Sequence, residues 1–183
     1  MRYFLYALFL STCISCKETP TPKPNAYLSL KYTNAEYKKT KLDLPFNFNL
    51  SKNAVFTLEK TNWLNIYYPK LKAEINITYQ KVNNNLTQLV LDAEKLTYKH
   101  TIIADHIEVY PFENKENKVY ARLFEVTGDA ASPLQFQATD STKHFISGSL
   151  YFDVKPNYDS ILPAINFVKK DIKKIIETLE WSN

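Results

Sequence analysis

Strict alternation of apolar and polar residues in one segment places a β-strand near the middle of the chain. Between Lys72 and Gln80 (KAEINITYQ), every second position from Ala73 to Tyr79 is apolar, and the positions between them are polar. Successive side chains of a strand point to opposite faces, so a period of two predicts a half-buried strand of an antiparallel sheet.

Other segments rich in β-branched and aromatic residues predict further strands. These segments are Tyr27–Thr33, Leu42–Leu50 (an edge strand or loop because it contains Pro45), Val55–Leu58, Trp63–Tyr68, Ile102–Tyr110, Lys118–Val126, Leu134–Thr139 and Phe145–Val154. Polar clusters at 115–117 and 140–142 predict turns. Trp63 and Tyr67 share one face of their strand, and we expect both to lie in the core.

Two segments have the spacing of amphipathic helices. In residues 85–98 the apolar stripe is Leu86, Leu89, Val90, Ala93 and Leu96. Near the C-terminus the stripe is Ile161, Ile165, Val168, Ile172, Ile175 and Leu179. Ser160 is suited to cap this second helix, and Trp181 is expected to dock its end.

The order of these elements predicts an α+β fold, in which an antiparallel β-sheet packs against two main helices. Element order alone favours a Mog1/PsbP-like sandwich within this class. Only two glycines occur in the chain, and phosphate-binding loops need clustered glycines, so P-loop and Rossmann folds are not expected.

The first eighteen residues (MRYFLYALFLSTCISCKE) have the pattern of a bacterial lipoprotein signal. A basic Arg2 precedes a short apolar run and small residues, and the run is too short to span a bilayer as a helix. Cys16 follows the small residue Ser15 and is the predicted lipidation site. Cys13 competes with it, but cleavage there would leave a very short signal; an ordinary signal peptide with two incidental cysteines is a third interpretation.

Both cysteines of the chain lie in this segment, which argues against disulfides and thiol catalysis. We therefore predict a signal peptide at 1–15, a lipidated cysteine with a proline-rich tether at 16–26, and a single α+β domain at 27–183. Pro20, Pro22 and Pro24 favour an extended polyproline II tether that reaches about 30 Å. The domain would then stand clear of the membrane, in the periplasm.

The charge pattern and the histidines exclude several other functions. The formal net charge is only +4, and lysines alternate with acidic residues, so nucleic acid is not an expected partner. The three histidines, His100, His106 and His144, have no second histidine or cysteine at ligand spacing, so no metal site is expected. We also expect no cofactor and no small-molecule substrate.

The segment Asp140-Ser141-Thr142-Lys143-His144 combines the residue types of a serine-nucleophile triad. A triad is recognised by geometry, however, and residues so close in sequence rarely converge on one proton path. Adjacent polar residues between two strands usually form a turn stabilised by side-chain caps. We predict no catalytic residue here, and Asp140, Lys143 and His144 are instead the candidate partner-binding surface.

Several unusual runs occur in the chain: Trp63–Lys70 (WLNIYYPK), Ala93–Thr101 (AEKLTYKHT), Ala130–Asp140 (AASPLQFQATD) followed by Ser141–Phe145, Gly148–Phe152 (GSLYF) and Phe167–Trp181. In this order they resemble the gliding motility lipoprotein GldD family of Bacteroidetes. The resemblance covers most of residues 20–181 and is weakest over Leu28–Leu58. It implies an envelope lipoprotein needed for gliding and associated with protein secretion, and it implies no reaction.

We therefore expect a lipid-anchored envelope protein that is not an enzyme and acts as an interaction or assembly component of the gliding and secretion machinery. The alternative is a lipoprotein that binds a small ligand or lipid in a pocket between the sheet and the helices. These two functions differ in what they require, namely a surface for a partner protein or a concave apolar pocket.

Overall fold

The computed structural model describes residues 36–60, 62–98, 104–154 and 157–182. The signal stretch with Cys13 and Cys16, the tether, the predicted strand Tyr27–Thr33 and His100 lie outside the described residues. Each of the other predicted strands and both predicted helices has a counterpart in the fold.

Eleven strands and two helices make up the described part of the chain. The strands are β1 (Tyr37–Lys39), β2 (Phe46–Asn47), β3 (Asn49–Ser51), β4 (Val55–Lys60), β5 (Trp63–Tyr68), β6 (Ala73–Lys81), β7 (Ala104–Asn114), β8 (Val119–Gly128), β9 (Leu134–Thr139), β10 (His144–Phe152) and β11 (Glu180–Trp181). The helices are α1 (Leu86–Tyr98) and α2 (Tyr158–Glu177).

Seven strands form one antiparallel sheet in the order β4-β5-β6-β10-β9-β8-β7. Two small ladders, β1 with β3 and β2 with β11, accompany it. The α+β class with an antiparallel sheet and two main helices is confirmed. The segment with Pro45 is divided into the short strands β2 and β3, in agreement with the edge strand or loop that Pro45 predicts.

One face of the sheet carries the main hydrophobic core. Ile75, Ile77, Phe136 and Leu150 lie on it, and the apolar stripe of α2 packs against it. The segment that includes β2 and β3 contributes Phe46 and Phe48 to the same core, which is filled by side chains. We call this the core face.

Helix α1 covers the middle of the opposite sheet face, which we call the outer face. Leu89 of the helix packs with Phe145 of β10 and Val82 in a separate small cluster. The predicted apolar stripe is wrong at its end, because Leu96 is 60% exposed. Thr97, four residues after Ala93, continues the buried side of the helix and donates a hydrogen bond of 2.9 Å to Gln135.

Trp63 and Tyr67 were expected in the core, and this expectation is wrong. Their neighbours Leu64, Ile66 and Tyr68 take the core face of β5, so Trp63 and Tyr67 lie on the outer face, 39% and 40% exposed. Because β5 is apolar at nearly every position, its period of two could not distinguish the core face from the outer face.

The capping residue of α2 also differs from the prediction. Asn157 has an extended backbone (φ −153°, ψ 93°), and its side-chain oxygen accepts a hydrogen bond from the Ser160 N–H. Ser160 therefore lies inside the first turn, and asparagine serves as the N-cap about as well as serine would. Trp181 follows the helix in β11, which pairs with β2, and its indole contacts Phe46.

A buried carboxyl group links α2 to the start of the described chain. Asp171 is 1% exposed, and its Oδ1 accepts a hydrogen bond of 2.7 Å from the Tyr37 hydroxyl on β1. Burial raises the pKa of Asp171, and the hydrogen bond from Tyr37 opposes that rise. Within the described residues, neither α1 nor α2 is long and apolar enough to cross a membrane.

Candidate functional site

The predicted turn between β9 and β10 is built around the carboxyl group of Asp140. Its Oδ1 accepts hydrogen bonds from the backbone N–H groups of Thr142 (2.9 Å), Lys143 (2.7 Å) and His144 (2.8 Å). Its Oδ2 accepts a fourth from the Thr142 hydroxyl at 2.9 Å. Aspartate commonly satisfies the backbone of the residues that follow it in this way, so the turn is encoded locally.

These hydrogen bonds dominate the ionisation of Asp140. Burial by itself would raise the pKa of the carboxyl group, but the donors from His144, Lys143 and Thr142 outweigh it and lower the pKa to about 2. Asp140 is therefore a carboxylate at neutral pH whose acceptor positions are used to hold the turn.

His144 lies at the base of the turn against aromatic rings. Its ring stacks on Trp181 with the centroids 5.3 Å apart and an interplanar angle of 7°. Its Nδ1 lies 3.1 Å from the hydroxyl of Tyr79. Burial lowers the pKa of His144; the carboxylate of Asp140 opposes this effect, and the nearby lysines add to it.

The arrangement differs from that of a serine-nucleophile triad. The oxygens of Asp140 are engaged by the turn backbone and Thr142, and the Nδ1 partner of His144 is Tyr79. The backbone N–H of Ser141 donates to the Thr139 hydroxyl at 2.9 Å, where Ser141 adopts a positive φ of 69°. A triad requires an acid to orient the histidine and the histidine to contact the nucleophile, and neither contact is present.

A polar cleft of about 420 Å³ opens beside this turn. The β7–β8 turn supplies one wall, with Glu116, Asn117 and Lys118. The β9–β10 turn supplies the other wall, and Glu180 and Trp181 of β11 close the end. The Trp181 indole N–H donates to the Lys118 carbonyl at 3.1 Å and so ties the C-terminal strand to the first wall.

Asp140, Lys143 and His144 all line this cleft, but they are not equivalent. Asp140 and His144 are 9% and 8% exposed, so they form its base. The side chain of Lys143 is exposed, and its carbonyl accepts a hydrogen bond from the Val82 N–H at 2.8 Å. Of the three residues, Lys143 is the one with an exposed side chain.

The other wall of the cleft was not among the predicted site residues. Glu116 and Lys118 come from a turn more than twenty residues away in sequence, and Trp181 comes from the C-terminus. The polar cluster at 115–117 did predict a turn. In a run of consecutive antiparallel strands, alternate turns lie at the same end of the sheet, and this rule could have brought the two turns together.

A second cavity of about 450 Å³ lies on the outer face between α1 and strands β7–β9. Val90, Phe112 and Phe145 supply apolar walls, and Gln137 and Arg122 supply polar groups. Arg122 forms an ion pair with Glu94 of α1 at the rim. The described residues contain no group of three or more potential metal ligands, and His106 is exposed on β7.

The chain was compared with known proteins. The family model for the gliding motility lipoprotein GldD matches residues 17–181, which include every described element. No protein with curated annotation matches the chain. The match spans most of the sequence, and the chain therefore belongs to the gliding motility lipoprotein GldD family.

Proposed function

We propose that this chain is a lipid-anchored envelope lipoprotein that acts as a non-catalytic assembly component of the machinery for gliding and the associated protein secretion. The observation that carries the proposal is the match to a gliding motility lipoprotein family over residues 17–181. In this proposal Cys16 carries the lipid, residues 16–26 are the tether, and residues 27–183 are a single periplasmic domain. Two or more acyl chains give a stable anchor, since each buried CH₂ contributes about 0.8 kcal/mol.

The polar cleft is the proposed partner-binding surface. Its rim carries exposed Lys143 and Lys118 beside Glu116, so charges of both signs can select a partner by complementarity. The stacked rings of His144 and Trp181 provide a rigid aromatic base. Aromatic groups surrounded by a polar rim are the usual composition of a protein-binding site.

The first experiment is a crosslinking pull-down of the tagged lipoprotein from gliding cells. We expect proteins of the gliding machinery to be recovered with the unaltered chain and with Cys13→Ala, and to be lost with Cys16→Ala. Equal recovery with Cys16→Ala would refute the anchor at this residue. Mass spectrometry of the N-terminal peptide then identifies the acylated cysteine directly.

A surface variant tests the cleft separately from the anchor. Lys143→Glu reverses an exposed charge without touching the hydrogen bonds of the turn, and we expect it to reduce partner recovery and gliding. The control is Lys70→Glu, an exposed lysine on the β5–β6 turn at the other end of the sheet. Normal partner recovery and gliding with Lys143→Glu would refute the cleft as the partner-binding surface.

Binding of a small ligand or lipid is the second candidate, and the cavity beside α1 favours it. Its volume of about 450 Å³ falls in the range of small-molecule sites, and its walls combine apolar side chains with a few polar groups. Native mass spectrometry of the protein purified from cells tests this function. A co-purifying small molecule that is lost on Val90→Trp would favour it over the assembly role.

A further inference from the structure

The outer face of the sheet beyond α1 carries a patch of neutral polar side chains bordered by aromatic rings. We call it the polar platform, and its members are Asn65, Asn76, Thr78, Ser147 and Ser149 with the aromatic residues Trp63, Tyr67 and Tyr151. Strand register places them side by side: Asn65 is opposite Asn76, and Asn76 is opposite Ser149. This row crosses β5, β6 and β10 without an apolar or charged residue.

The aromatic rings stand at the margins of this row. Trp63 and Tyr67 precede and follow Asn65 on the same face of β5, four residues and about 14 Å apart. Tyr67 and Tyr151 are both opposite Glu74, so they lie two strands and about 10 Å apart. The three aromatic side chains are 39–41% exposed, and the rings on which the platform depends are those of Tyr67 and Tyr151.

The amide groups on this face have hydrogen-bonding capacity that the described protein does not use. The Oδ1 atoms of Asn65 and Asn76 are buried without a hydrogen-bond partner, as are Gln135 Nε2 and Gln137 Oε1 on the neighbouring strand β9. The two glutamines lie beside α1, where Thr97 of the helix donates to Gln135 and Gln137 donates to Glu94, so Asn65 and Asn76 are the platform residues with an unused acceptor. Buried polar atoms are rarely left unpaired in native proteins, so this pair indicates a place where an external group supplies hydrogen bonds.

Residues of both charges border the platform, since strand register also places Lys60 opposite Trp63. Glu74 lies between Tyr67 and Tyr151, and Glu59 accepts a hydrogen bond of 2.9 Å from the Asn65 amide. Arg122, on the far side of α1, is paired with Glu94. The carboxylates would repel a polyanion, whereas they can accept hydrogen bonds from hydroxyl groups.

We propose that the polar platform binds a neutral oligosaccharide. The aromatic rings stack on the C–H faces of sugar rings, and the amide, hydroxyl and carboxylate groups between them bind the sugar hydroxyls. The spacing of the rings accommodates several sugar units laid across β5, β6 and β10. This site is on a different surface from the polar cleft, and it does not depend on the proposed assembly role.

The test is isothermal titration calorimetry of the full chain with four neutral hexasaccharides: cellohexaose, xylohexaose, mannohexaose and chitohexaose. We expect at least one of them to bind, and hexagalacturonate, an anionic hexasaccharide, to bind more weakly or not at all. Tyr67→Ala and Asn76→Ala should each weaken binding about 10-fold, since one aromatic or polar contact is removed. The matched control is Tyr120→Ala, which removes a ring that is 39% exposed on the outer face beyond α1 and should leave affinity unchanged.

Three results would overturn the proposal. They are no heat of binding with any of the four neutral sugars at millimolar concentration, equal affinity of the two platform variants and the unaltered chain, and tighter binding of the anionic sugar. Tyr151→Ala provides a third platform variant if Asn76→Ala fails to fold. Sedimentation analysis distinguishes another occupant, because a dimer that Tyr67→Ala dissociates would assign the platform to a second copy of the chain.

Discussion

Replacing Asp140 with asparagine measures how much the negative charge of its carboxylate stabilises the turn beside the cleft. The substitution keeps the shape of the side chain and its acceptor oxygen but removes the negative charge. The pKa of Asp140 is about 2, compared with an ordinary value of 3.8. A shift of this size corresponds to about 2 kcal/mol, which solvent near the turn reduces to about 1 kcal/mol.

The sign of the pH dependence follows from the lowered pKa. The folded state binds the proton of Asp140 more weakly than the unfolded state, so the carboxylate stabilises the fold at neutral pH. This contribution is complete above about pH 4 and is lost as the pH falls through about 2. The difference in the free energy of unfolding between the unaltered chain and Asp140→Asn should therefore be largest at pH 7. It should decrease as the pH falls from about 4 to about 2.

Urea unfolding, followed by tryptophan fluorescence between pH 7 and pH 2.5, measures this difference. The control is Asp153→Asn, which removes an exposed carboxylate after β10 and should change the free energy of unfolding by less than about 0.5 kcal/mol. A difference for Asp140→Asn that stays constant across the pH range would refute the role of the carboxylate. No difference at pH 7 would refute it as well.

Three further substitutions test the packing around the sheet and α2. Gly148→Ala would place a methyl carbon 2.3 Å from Phe136 Cε1, and we expect about 1–3 kcal/mol of destabilisation in urea unfolding; an unchanged midpoint would contradict this. Tyr37→Phe removes a hydrogen bond of 2.7 Å to buried Asp171 and should cost about 1–2 kcal/mol in urea unfolding at pH 7; an unchanged midpoint would contradict this. Trp181→Phe loses the indole hydrogen bond to the β7–β8 turn and should lower stability by about 1 kcal/mol, measured as a lower thermal midpoint.

The local patterns of the sequence were sufficient to predict the helices and strands of the fold. The alternation between Ala73 and Tyr79 corresponds to β6, whose apolar positions Ala73, Ile75 and Ile77 are fully buried. The stripe from Ile165 to Ile175 is the buried side of α2. In both cases the period of the pattern matches the geometry of the backbone, so no knowledge of distant residues was needed.

The local patterns did not show which face of a strand is buried in the core. β5 offers two apolar sets, one with Leu64 and Ile66 and the other with Trp63 and Tyr67. Which set is buried depends on where α2 and the β2–β3 segment pack, and these elements are distant in sequence from β5. The error at Trp63 and Tyr67 therefore comes from tertiary packing that a single strand cannot encode.

Of the candidate site, only the β9–β10 turn could be predicted from the sequence. Asp140 and the residues that it caps lie within five positions, so the turn and its side-chain hydrogen bonds could be inferred locally. The contact between His144 and Trp181 joins positions far apart in sequence and depends on the pairing of β11 with β2. The cleft exists because the fold brings these two local structures together.

The two proposed binding surfaces occupy parts of the sheet that can vary independently. The cleft is made of turns and a C-terminal strand at one end of the sheet, whereas the polar platform consists of side chains within β5, β6 and β10. Residues on the outer face of a strand can change without altering the pairing of the backbone, provided that the core face keeps its apolar side chains. A partner at the cleft and an oligosaccharide on the platform could then bind the same molecule at the same time.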